Sequence, residues 1–183
     1  MSEKKLKEYK DLKFRDDFMF GKVMEDTELC KAVLECLLGR KIGNLEEVIP
    51  QKEFKYISDG KPIRLDVYNK DDYGEIYDTE LENLNHKSVE SHMLPQRSRY
   101  YQSSIDIDYM EKGYSYKRLP ESNVLFICTF DPFGQGLSQY SFPRICEENS
   151  ALYLNDGTHI IFLTVHIKVM TFLKILETFT IMS

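Results

Sequence analysis

The chain has few cysteines and no arrangement that would put them to use. Cys30, Cys36, Cys128 and Cys146 form no C-x-x-C pair and have no histidine cluster beside them, which argues against a zinc site and a disulfide scaffold. They are expected to be reduced core residues of a cytoplasmic protein. A charge-free apolar run is missing too. The most apolar stretch, near residues 160–182, is broken by His166, Lys168, Lys174 and Glu177, which a bilayer span tolerates poorly. The opening segment MSEKKLKEYKDLKF lacks the apolar centre of a secretion signal, so neither membrane insertion nor export is expected. There is no excess of positive charge: 24 Lys and Arg stand against 30 Asp and Glu, a net charge of −6. Nucleic acid would therefore have to be met in a local basic groove rather than by a broad basic field. Lys4, Lys5, Lys7, Lys10, Lys13 and Arg15 do gather at the start, and residues 1–15 read as a solvated basic arm. No internal repeat or low-complexity block occurs. What is present is 183 residues, 42% hydrophobic and 30% charged, enough for one globular domain with its own core and a decorated end.

The most informative stretch runs from Ile63 to Asn83. Ile63, Leu65 and Val67 alternate with Arg64, Asp66 and Tyr68, and after a polar turn over Lys70, Asp71, Asp72, Tyr73 and Gly74 the residues Tyr77, Thr79 and Leu81 alternate with Asp78, Glu80 and Glu82. Period-two patterning around a Gly-containing polar turn predicts a β-hairpin. Centring it on Tyr73 makes paired residue numbers sum to 146. Asp66 then faces Glu80, and Arg64 faces Glu82. Opposed carboxylates on one sheet face repel, so something must compensate. A divalent cation is one candidate, because hard cations take carboxylate oxygens. A cross-strand Arg64–Glu82 ion pair on a solvated face is the other.

Around the hairpin the chain reads as alternating helix and strand. Asp16 or Asp17 can cap a helix carrying Phe18, Met19, Val23 and Met24, and Leu29, Val33, Cys36 and Leu37 recur at helical spacing before Gly39 as a stop signal. Glu25 and Asp26 lie between the two helices, read as helix-end charges within conceivable reach of a metal site. Pro50 reads as punctuation, Lys52 to Ile57 as a first strand, and Ser58 to Pro62 as a turn. A helix is expected within residues 89–112, with Pro95 in its first turn or at a kink and Gly113 as its stop. It sets Arg97 and Tyr101 on one face, with Tyr100 and Ile105 near it. An Arg beside tyrosines can grip phosphate or stack on bases, or simply snorkel from an aromatic face packed on a sheet. The run VLFICTF, residues 124–130, suits a strand buried on both sides. Gly134 and Gly136 have no following helix and make a poor phosphate cradle. Short strands are expected at Tyr140 to Ile145, Ala151 to Leu154 and His159 to Val165, with Asn155-Asp156-Gly157 turning between the last two. The whole reads as an α/β core with the acidic hairpin at its centre.

The hairpin with RLDV and ELE, the segment LPQRSRYYQSSID, and the later VLFICTFDPFG and YLNDG resemble the PD-(D/E)XK nuclease family transposases, also described as Rpn-type recombination-promoting nucleases, over residues 16–163. The resemblance implies a restriction-endonuclease-like αβββαβ core with a central mixed sheet and a small β-rich C-terminal extension. It also implies cleavage of DNA with Mg2+ or Mn2+ in recombination or transposition. Asp66 and Glu80 fall on the superfamily's acidic metal-ligand positions. Glu82 falls where the superfamily usually has Lys and this family commonly has Gln, so it would act as a third metal ligand or a general base. Arg97, Tyr100 and Tyr101 match the family's helix motif, and with Arg64 they would contact DNA phosphate or support the site. DNA is the implied partner, and a homodimer is one assembly the resemblance leaves open. Residues 164–183 depart from the family's pattern and read as an atypical, truncated or frame-altered tail.

Overall fold

Residues 122–128 offer no polar face to water beyond Ser122 and Asn123, so this stretch is stable only when covered on both sides. In the computed structural model, which describes residues 17–54, 63–83, 93–110 and 115–164, it is strand β4 (Ser122–Cys128), with every residue buried. β4 lies third from one edge of a six-stranded mixed sheet ordered β1-β2-β3-β4-β6-β5. The other strands are β1 (Leu45–Phe54), β2 (Ile63–Asp71), β3 (Ile76–Glu82), β5 (Gln139–Ser141) and β6 (Thr158–Thr164). β1, β2 and β3 form an antiparallel meander, β3, β4 and β6 run parallel, and β5 returns antiparallel on β6. A parallel crossover needs a connection over one face, and the helix α3 (Leu94–Tyr109) lies between β3 and β4 in the chain.

The two sheet faces carry separate cores. Helices α1 (Asp17–Glu25) and α2 (Thr27–Leu38) pack Phe20, Met24, Val33 and Leu34 against Val67, Tyr77, Leu125 and Leu163. On the opposite face Leu94 and Ile105 of α3 pack with Ile76, Val124, Phe126 and Phe162. Asp26 caps α2 by accepting from the amides of Glu28 and Leu29, and Gly39 ends it in the left-handed conformation at φ 69°, where glycine escapes the Cβ clash. Pro95 lies in the first turn of α3, where a missing N–H costs no helix bond.

The hairpin has the expected register: Val67 pairs with Thr79, Tyr68 with Asp78, Asn69 with Tyr77 and Lys70 with Ile76. Its turn is tighter than the composition indicated. Asp71 belongs to the strand and is fully buried, accepting from the amides of Gly43, Tyr73 and Glu75 and from the Tyr77 hydroxyl at 2.9 to 3.1 Å. A carboxylate that gathers four donors replaces the ladder bonds a longer loop would have lost.

Several expectations need correction. Strand β1 begins at Leu45 and includes Pro50, paired with Val67. Proline is tolerated there because β1 is an edge strand with no outer neighbour to receive an N–H. Ala151 to Leu154 is not a strand beside β6. It folds back on residues 144–146 through a Tyr153–Ile145 bridge, and β6 instead joins the central sheet. The residues Tyr140 to Ile145 supply only the short β5. Cys30 and Cys128 are buried thiols as expected, whereas Cys36 and Cys146 are only partly buried. The Gly134–Gly136 loop is filled by its own Asp131, which accepts from the amides of Phe133, Gly134 and Gly136 and from the Tyr140 hydroxyl. The basic arm, the Ser58 to Pro62 turn, Gly113 and the tail beyond Thr164 lie outside the described residues.

Candidate active site

Regular strands put alternate residues on opposite faces, and in β1 and β2 that alternation slips by one residue at the same level. In β2, Ile63 and Leu65 pack in the α3-side core, but so does Tyr68, while Val67 faces α1 and α2. In β1, Ile49 and Phe54 share the α3-side core although five residues apart. The slip falls at Gln51, which adopts φ 53°, and at Asp66; the flanking pairs are Pro50 with Val67 and Lys52 with Leu65. A double irregularity of this kind re-aims side chains locally.

At that level the main-chain ladder between β2 and β3 gives way to side chains. The last paired residues are Val67 and Thr79. Beyond them the Asp66 amide donates to Glu80 Oε1 at 2.7 Å, and the Leu81 amide donates to Asp66 Oδ2 at 3.2 Å. Each acid therefore caps the opposite strand, and both are drawn into a cleft of about 680 Å3 that Arg64, Glu82, Arg97 and Tyr101 also line. Glu25 and Lys22 of α1 reach the same cleft and pair with each other at 2.6 Å. Asp26 is used up as the α2 cap. Tyr100, 38% exposed, is outside the cleft.

Negative charge accumulates there. Asp78, Glu80 and Glu82 project from one face of β3 and are buried at 0%, 3% and 5% exposure. Burial, reinforced by the neighbouring Asp66 charge, pushes the Glu80 carboxyl up to about 7 against the pull of the Asp66 amide and Arg97. Burial holds Asp78 still further toward its neutral form, with Glu80 and Asp66 adding to it. Among the described residues no amide, hydroxyl or cation donates to the Asp78 carboxyl, and its close neighbour is the Glu80 carboxyl, with which it can share a proton. The principal cation in the cluster is Arg97. It is ion-paired with Glu82, lies 3.5 Å from Glu80 Oε2, and donates to the Tyr101 hydroxyl at 3.2 Å. Its guanidinium sits 5.5 Å from the Tyr101 ring centre and 5.4 Å from that of Phe126, within cation–π range. The partner of Glu82 is thus Arg97 on α3, not Arg64 across the hairpin as the register implied. The ladder has ended before Arg64, which is exposed and has no ion-pair partner among the described residues.

This constellation of a splayed hairpin, crossed acids and a helix-borne Arg can be set beside known proteins. The family model of the PD-(D/E)XK nuclease family transposases matches residues 8–171. The chain belongs to that family. Searches among curated proteins and solved structures gave no match. The mixed six-stranded sheet with helices on both faces is consistent with the restriction-endonuclease-like fold of PD-(D/E)XK nucleases. Among the described residues no helix is long and apolar enough to cross a membrane, and no three His, Cys, Asp or Glu side chains are grouped as a formed metal site.

Reading by residue type alone passed over two members of the site. Asp78 was visible as the first acid of the D-x-E-x-E run along β3, since period two puts all three on one face. Gln51 had no signal, because its role comes from a backbone conformation that glutamine rarely adopts.

Proposed function

We propose that this member of the PD-(D/E)XK nuclease family transposases is a divalent-metal-dependent DNA endonuclease, with Asp66 and Glu80 as its metal-holding pair and its cutting linked to transposition. The carrying observation is the crossed acid pair of the cleft. Two acids from neighbouring strands meet there beside a third buried acid, crossed on each other's backbone amides, and burial with the adjacent Asp66 charge holds the Glu80 carboxyl up to about 7. An all-oxygen pair of this kind fits a hard cation such as Mg2+ or Mn2+. When bound, such a cation polarises the phosphodiester and favours ionisation of water. The chain's own residues do the rest. The crossed amide bonds fix one oxygen of each acid and so hold the two carboxylates side by side. Arg64 at the rim offers a donor fork to a DNA phosphate, and Tyr101 with Arg97 walls the cleft on the α3 side. The Arg97–Glu82 pair and the two-acid count favour a second reading, a nuclease fold that binds DNA or a protein without cutting.

Nicking of supercoiled plasmid separates them. Conversion to open circle in Mg2+ or Mn2+, stopped by chelator, supports the endonuclease. Intact plasmid over a range of metals, with carboxylate-independent metal binding, supports the second reading.

A further inference from the structure

Glu82 was expected to meet a metal or a water directly, but its surroundings assign it a different task. Its carboxylate is 7% exposed and committed to Arg97 Nη1. A buried acid in such a pair loses heavily when its partner leaves, so Glu82 is poorly placed to act as a free base. The other side of the guanidinium, Nη2, reaches the Tyr101 hydroxyl at 3.2 Å and stands 3.5 Å from Glu80 Oε2. Among the described residues, Glu82 and Glu80 are the carboxylates with which Arg97 pairs. Whichever holds it more closely decides how much positive charge rests on Glu80.

We propose that Glu82 is a positioning residue that draws the Arg97 guanidinium away from Glu80, leaving the Asp66–Glu80 pair open to a divalent cation. The inference rests on the reading of Asp66 and Glu80 as metal-holding residues. With Glu82 neutralised, Arg97 keeps its charge, remains stacked against Tyr101 and Phe126, and has Glu80 as its remaining carboxylate. A guanidinium on Glu80 and a metal ion compete for the same oxygens. Glu82 thus protects the site by electrostatic bookkeeping rather than by ligation.

The two roles diverge in a double variant. Mn2+ is titrated calorimetrically into the full chain as wild type, Glu82→Gln, and Glu82→Gln with Arg97→Met. Thermal unfolding confirms that each protein is folded. Positioning predicts that Glu82→Gln weakens Mn2+ binding on the order of tenfold, the scale of one added neighbouring charge. It also predicts that the double variant, which removes the pair and leaves the net charge unchanged, binds within about twofold of wild type. Arg97→Met alone, titrated beside them, sets the gain from deleting the cation, so the comparison holds even if Glu82→Gln does not fold: positioning predicts that the double variant binds within about twofold of Arg97→Met, whereas a direct ligand leaves it about tenfold weaker. That weaker binding overturns the positioning role and makes Glu82 a ligand. Wild type that binds no Mn2+ through Asp66 and Glu80 overturns the metal-site reading itself, and this inference with it.

Discussion

Glu80 gives the proposed site its most accessible energetic readout. Its carboxyl is raised from an ordinary 4.5 to about 7 by burial and by Asp66. Between those pH values the folded chain holds a proton that the unfolded chain has released. Stability present below about 4.5 is therefore lost as pH rises through about 7. Glu80→Gln cannot ionise and should lack this loss. In metal-free protein the stability of Glu80→Gln relative to wild type should rise by roughly 2–3 kcal/mol between pH 4 and pH 8. Urea melts at the two pH values measure it, and an unchanged difference would mean that Glu80 is not strained in the fold. Asp78, two residues along β3, is likewise held toward its neutral form by burial and by the Glu80 carboxyl beside it.

At the scale of elements, two devices brace the strands around the cleft. The first is the Asp71 hub, which ties the hairpin turn to Gly43 and Tyr77. Asp71→Ala strands four buried or half-buried donors, and a loss of about 3–4 kcal/mol is expected in denaturant unfolding. The second is Lys52, which pairs with Asp108 of α3 at 2.8 Å and lies 3.7 Å from the Tyr68 ring centre, fastening β1 to the helix beyond the slip. Lys52→Met keeps the apolar stem and should cost about 1–2 kcal/mol; a neutral result would show that the fastening is not needed. The hairpin register was legible in the sequence because alternation and a polar turn specify it locally. The slip at Gln51 and Asp66 was not. Ile63, Leu65 and Val67 look like one face in sequence, and only packing against two different cores divides them. Pro50 misled for a related reason, since nothing local reveals that β1 would be an edge strand. Arg97 and Tyr101 were visible as a helical pair, but their engagement with Glu82 depends on where α3 crosses the sheet.

For the whole molecule, the order β1-β2-β3-β4-β6-β5 explains why the chemistry gathers where it does. β4 is covered on both faces and anchors the sheet, while the antiparallel meander at one side is free to slip and splay. α1 and α3, from opposite faces, each contribute to the cleft where it does so. β6 in the central sheet makes the chain after β4 part of the scaffold, with the apolar loop segments around Ile145 and Tyr153 decorating its far side. The family match places this scaffold among nuclease-fold proteins linked to transposition, and the proposed cutting is assigned to the cleft. The most direct test is plasmid nicking in Mg2+ by wild type beside Asp66→Ala and Glu80→Ala, each shown to be folded. Open-circle product is expected from wild type and at least about a hundredfold less from either variant, the scale for losing a group that stabilises transition-state charge. Cutting by both variants at the wild-type rate would contradict that assignment.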